Sequence, residues 1–247
     1  MPSRKSPPPQ HPFDQIHGVE TSGLIPSKHL KTGHENDAHV TAYYGVAPSI
    51  LSTLIDLWQR TNAPHPIDKY TFLDIGAGKA RAMMVASEFP FREIIGIELN
   101  PSLAGIASRN LDHWIASHVT DTTSPRLAPI HLYEQDALTF DLPRTPTLAF
   151  LFHPFEAPIL KLLLRRIESR FAKRPGSPSV PFDLLYVNSE CRDVLDTHPA
   201  FTRLFLGPVA MSPEDHAADL AAIAQQKEYG STGDEECAIY RFTGRSK

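Results

Sequence analysis

Two glycines one residue apart, Gly76 and Gly78 in "YTFLDIGAGKARAMMVASEF", follow a short apolar run and precede a helix-like segment. Glycine at such a junction lets the backbone turn tightly and approach a bound nucleotide or nucleoside. Three ligand chemistries compete for it. A triphosphate loop needs G-x-x-x-x-G-K-[ST]. Here a single residue separates the glycines, and Lys79 is followed by Ala80, so no hydroxyl is available for magnesium. A dinucleotide fingerprint needs a third glycine where this chain has Arg81. Asp74, two residues before Gly76, would also repel a pyrophosphate. A carboxylate in that place suits a ligand with positive charge.

Two further carboxylates extend the pattern. Glu98 in "IIGIELNPSL" lies 22 residues after Gly76 and ends the next apolar run, where ribose hydroxyls would be held. Asp136 in "YEQDALTF" follows a third run and is placed to meet an adenine amine. Each has a plain reading alone: Asp74 and Glu98 as caps of the turn and helix that follow, Asp136 as the opening of a loop. In register at successive strand ends they point to one ligand. S-adenosylmethionine fits, because it has no phosphate and carries an ammonium and a sulfonium.

Such residues need strands to place them. "YTFLDI", "EIIGIE", "APIHLYEQD", "TLAFLFH" and "FDLLYVN" read as short buried strands. Helical patterns lie between most of them: "KARAMMVASEF", "PSLAGIASRNLDHWIAS" and "APILKLLLRRIESRFAK". An amphipathic helix, "GVAPSILSTLIDLWQR", precedes the first strand. "FTRLFLG" and "ECAIYRF" are late strands around an Ala-rich helical segment, "PEDHAADLAAIAQQ", and form an antiparallel edge. The alternation predicts an α/β fold: a Rossmann-like three-layer sandwich around a mostly parallel seven-stranded sheet.

"FLDIGAGKAR", "GIELNPSL" and "EQDALTF" resemble the successive cofactor motifs of class I SAM-dependent methyltransferases, over about residues 44–190. The resemblance implies a cofactor set of Asp74, Gly76, Ala77, Gly78, Glu98, Leu99, Asp136 and Ala137. It departs at Ala80, where the family loop has its third glycine. Upstream, "TSGLIPSKHLKTGHENDAHVTAYYGVAPS" is similar in layout, at a few positions, to Dot1-like protein-lysine methyltransferases, in which a tyrosine-containing segment precedes the cofactor domain.

The methyl acceptor should approach near the end of the fourth strand. Many amino-methyltransferases carry Asn- or Asp-Pro-Pro-aromatic there; this chain has His153, Pro154 and Phe155. His153 has the intrinsic pKa of a general base for a protonated amine, or it simply caps the strand. Tyr43 and Tyr44, with His39, would wall the acceptor channel, or pack ahead of the helix. Tyr44 and His153 are the catalytic candidates. Asn188 and Glu190 fall at the same rim.

The chain has 247 residues, 41% of them hydrophobic, enough for one large domain with an extension. Residues 1–43 read as a partly disordered extension and 44–247 as the cofactor domain. The first dozen residues are basic and proline-rich, without the apolar middle of a signal peptide. No apolar run is long enough to span a membrane. Two distant cysteines, Cys191 and Cys237, point to reduced thiols in the cytoplasm. A net charge of −4 argues against a broad grip on nucleic acid. "HENDAH", with His34, Asp37 and His39, is either a metal cluster or a polar loop, and no metal site is expected from it. The acceptor, a protein side chain or a small molecule, is unmarked; residues 1–40 and 209–235 are the segments expected to select it. A nucleoside-binding module without catalysis is the competing reading, and an NAD-dependent oxidoreductase the less favoured third.

Overall fold

The computed structural model describes residues 10–120, 127–172, 179–223 and 231–245. Seven strands form one sheet: β1 Thr71–Ile75, β2 Glu93–Glu98, β3 Ile130–Glu134, β4 Thr147–Phe152, β5 Phe182–Val187, β6 Phe201–Ala210 and β7 Asp234–Phe242. Their order is β3-β2-β1-β4-β5-β7-β6. The first five run parallel, and β7 pairs antiparallel with both β5 and β6. The strand order reverses between β1 and β4, so a crevice opens beyond their carboxyl ends.

Strand periodicity sorts the apolar side chains to two faces. Phe72, Ile94, Leu148 and Leu185 pack with helices α2 (Pro48–Gln59), α3 (Arg81–Ser87) and α4 (Pro101–Thr120). Leu73, Ile95, Ala149 and Leu184 pack on the other side against α5 (Ala157–Phe171). Helix α5 presents Leu160, Leu163, Leu164 and Ile167 at helical spacing, all buried. Asp74 shares the face of Phe72, and Glu98 that of Ile94. Both carboxylates therefore leave the sheet on the side of α3.

The late strand "FTRLFLG" runs on to Ala210, and Val209 and Ala210 pair with Glu235 and Asp234. Between the strands lies helix α7, Pro213–Ile223; residues 224–226 of the expected helix lie outside the described residues. Two short helices carry no periodic signal: α1, Pro12–His17, and α6, Arg192–Asp196. α1 is capped by the His11 side chain, which accepts from the Phe13 N–H, and it closes on Gly18 in the left-handed conformation. Phe13 stacks on Trp114 of α4, anchoring this end of the chain to the domain. Residues 1–9 of the proline-rich leader lie outside the described residues.

Candidate cofactor site

The turn after β1 is made by alternate left-handed residues: Gly76 at φ 84°, Gly78 at 55° and Ala80 at 72°. Ala80 thus adopts the conformation for which glycine is the usual choice. The two glycines are also required by their neighbours. A Cβ on Gly76 would collide with the ring of Pro154, and one on Gly78 with the ring of Tyr43. The Gly76 and Ala77 N–H groups donate to the Ile97 carbonyl at 2.9 and 3.0 Å, tying the turn to the end of β2.

Glu98 completes that tie. Its carboxylate accepts from the Gly78 N–H and the Asn100 N–H, each at 2.7 Å. The helix that follows is capped by Asn100, whose Oδ1 accepts from the Ser102 and Leu103 N–H groups. Glu98 is free of that duty. Burial pushes it up to about 7, against the pull of its backbone donors.

Asp74 is 2% exposed, and its Oδ2 has no hydrogen-bond partner among the described residues. Burial, then the neighbouring Glu98, pushes it up to about 8. A buried carboxylate oxygen without a donor is costly, and a bound cation would relieve it. Asp136 lies at the end of β3. Its Oδ1 accepts from the Leu138 N–H at 2.8 Å and its Oδ2 from the Asn36 side chain at 3.1 Å.

One cleft with about 970 Å³ of open space joins these groups. Asp74, Gly76, Ala77 and Gly78 line it, as do Glu98, Leu99, Asp136 and Ala137. Tyr44 lines it too; its hydroxyl donates to Asp219 of α7, and burial, then Asp219, hold that hydroxyl well above its usual range. His153 does not line it. Its backbone is left-handed at φ 40°, its carbonyl accepts from the Thr41 hydroxyl, and its ring lies 3.1 Å from the Tyr186 hydroxyl and 3.4 Å from Glu190. Pro154 and Phe155 do reach the cleft. Asn188, also left-handed, stands beside Glu190 at 3.3 Å. His39 is turned to Glu156 at 3.0 Å.

Tyr43 and Tyr44, expected to wall the acceptor channel, both line the cleft, but how the N-terminal segment is held over it is seen only in the fold. Arg81, which stands where a dinucleotide fold has glycine, is buried. It donates to the Thr21 hydroxyl at 2.6 Å and to the Gly45 carbonyl at 3.0 Å, with Asp14 at 3.9 Å. Lys79 is also buried, 3.3 Å from Glu20 and over the ring of Tyr43. Both cations pin residues 20–46 across the glycine turn. Leu30, Val40 and Thr41 of that strap line the cleft. A buried cation next to a glycine turn is the only sequence signal that could have marked the strap, and it needs the fold to be read. Among the described residues no group of His, Cys, Asp or Glu is placed to hold a metal, "HENDAH" included.

No family model matches the chain, and no curated protein matches it. Among solved structures it is similar to precorrin-6y C5,15-methyltransferase of Geobacter metallireducens GS-15 (19% identity, 80% of this chain, 86% of that one, TM-score 0.45). It is similar to magnesium protoporphyrin IX methyltransferase of Synechocystis PCC 6803 with bound SAM (10% identity, 79% of each chain, TM-score 0.46). It is also similar to an RNA methyltransferase of Salinibacter ruber in complex with S-adenosyl-L-homocysteine (15% identity, 80% of this chain, 92% of that one, TM-score 0.42). These are likenesses of fold; the chemistry here rests on the chain's own residues.

Proposed function

We propose that the chain is a SAM-dependent methyltransferase acting on a protein side chain or a small molecule. The observation that carries this is the unpartnered Asp74 oxygen in a cleft that also holds Glu98 and Asp136. Asp74 takes the ammonium, Glu98 the ribose hydroxyls and Asp136 the adenine amine. When bound, the cofactor supplies a methyl carbon already activated by its sulfonium. The chain's task is then to position the acceptor in line and exclude water. The strap and the Phe152 and Phe155 side chains supply a largely apolar wall for this.

Tyr44 orients the acceptor from the cleft wall. His153 serves as base only after its ring turns away from Glu190. Labelled SAM incubated with cell lysate or amine-rich protein tests transfer. Label in a protein or metabolite pool, lost in Tyr44→Phe, is expected; transfer that survives His153→Ala removes that residue from the chemistry.

A second reading, a SAM-binding module without transfer, is favoured by one observation: among the described residues neither His nor Lys lines the cleft. Binding without any transfer selects it. Among the described residues no helix is long and apolar enough to cross a membrane. The free thiols Cys191 and Cys237 suit a reducing, cytoplasmic setting.

A further inference from the structure

Side chains of the "HENDAH" segment converge on one carboxylate. The Asn36 Nδ2 donates to Asp136 Oδ2 at 3.1 Å. His34 Nδ1 accepts from the Asn36 N–H at 3.2 Å, which leaves the proton on Nε2, 3.7 Å from the same Asp136 oxygen. Asp37 folds the loop by accepting from the Thr32 and Gly33 N–H groups, both at 2.7 Å. The Asn100 side chain donates to the Leu30 carbonyl at 2.9 Å, fixing the strap to the start of α4. This end of the cleft is therefore apolar on its walls, with Leu30, Leu99, Leu103 and Ala137, and polar at one edge, where Asn36 and Asp136 stand, with Gln135 beside them donating its amide N–H to the Thr139 hydroxyl at 3.1 Å. An apolar slot with a single polar edge suits a flat heteroaromatic base.

The two polar residues present a defined pattern. Asp136 Oδ1 is already engaged by Leu138. Its Oδ2 retains acceptor capacity beside the Asn36 bond, and the Asn36 amide retains one N–H. The edge thus offers an acceptor next to a donor. That complements a 6-aminopurine, which has an exocyclic N–H next to a ring nitrogen acceptor. A 6-oxopurine reverses both groups and sets its carbonyl oxygen against a carboxylate.

We infer that Asn36 is a specificity-determining residue of the cofactor site: paired with Asp136, it selects a 6-amino over a 6-oxo purine. This rests on the SAM reading of the cleft. The strap is then part of the nucleoside site. His34 acts through Asp136 as a positioning residue.

The test is calorimetric titration of the full chain with S-adenosylhomocysteine and with its 6-oxo counterpart, S-inosylhomocysteine. The wild type should bind the adenosyl ligand at least about tenfold more tightly. Asn36→Ala should lose a clear part of that ratio, because the adenosyl ligand loses a donor and the inosyl ligand is relieved of an opposed N–H, while Asp136 keeps the remainder. Asp37→Ala frees the loop that carries Asn36, so it should lower the ratio in the same sense and by no more than Asn36→Ala does. An unchanged ratio in Asn36→Ala overturns the assignment, as does an equal loss of both ligands, which would mark Asn36 as a mere anchor. A wild type that binds neither ligand overturns the SAM reading itself, and the inference with it.

Discussion

Asp74 carries a cost in the free protein that the bound cofactor would remove. Its carboxyl sits at about 8 and that of Glu98 at about 7, both raised chiefly by burial. Between roughly pH 4 and pH 8 the folded chain therefore holds more protons than the unfolded chain. Stability without ligand should fall as pH rises across that window. Thermal melts at pH 5.5 and 8.5 check the sign, and Asp74→Asn should flatten the dependence. The same group gives the opposite slope for binding. A cation needs the ionised carboxylate, so SAM affinity should rise with pH up to about 8 and then level. Asp74→Asn should weaken SAM by roughly ten- to a hundredfold, the scale of a lost charge-assisted hydrogen bond, while leaving the free protein no less stable. A residue with only a structural role would not separate binding from stability in this way. These three carboxylates were legible in sequence because their spacing follows strand ends. The orientation of His153 was not, because its left-handed backbone and its Tyr186 and Glu190 contacts depend on strands far apart in the chain.

At the scale of elements, the glycine turn combines tight packing with backbone strain. Ala80 holds a left-handed conformation that costs an alanine about 1–2 kcal/mol, against about 0.8 kcal/mol for burying its methyl. Ala80→Gly should thus be neutral or stabilising by less than about 1 kcal/mol, read as an equal or slightly higher melting temperature. Gly78→Ala should do the reverse, because its methyl meets the Tyr43 ring and pushes the strap off the turn. A loss of SAM affinity larger than its loss of stability is expected there. Strands and long helices were readable from periods of two and of three to four. The short helices α1 and α6 were not, since a single turn or two gives no period. Helix α1 forms through its caps and its stacking on Trp114, a tertiary contact.

Across the whole molecule, the N-terminal segment meets helix α7 over the sheet. His11 lies 3.4 Å from Asp215 of α7, and the other oxygen of Asp215 accepts from the Ser49 N–H at 2.8 Å. Tyr44 reaches Asp219 one helical turn further on. The N-terminal strap and the helix between β6 and β7 are thus one continuous cover. Breaking it at Arg81→Ala removes the guanidinium hydrogen bonds to the Thr21 hydroxyl and the Gly45 carbonyl, while Asp14 keeps its donors from Thr21 and Ser22, and should cost about 2–3 kcal/mol. Limited proteolysis should then cut within residues 20–46 faster than in the wild type, and SAM should slow the cut. The sequence could not show this cover, because its contacts join residues as far apart as His11 and Asp215. The central claim remains that the cleft holds a cationic nucleoside through Asp74. Calorimetric titration of wild type and Asp74→Asn with SAM and NAD, at pH 7 in two buffers of different ionisation heat, tests it most directly. The account predicts that the wild type binds SAM with proton release, that Asp74→Asn binds it far more weakly without that release, and that NAD gives no heat. Binding of NAD in place of SAM, or SAM binding indifferent to Asp74, would contradict it.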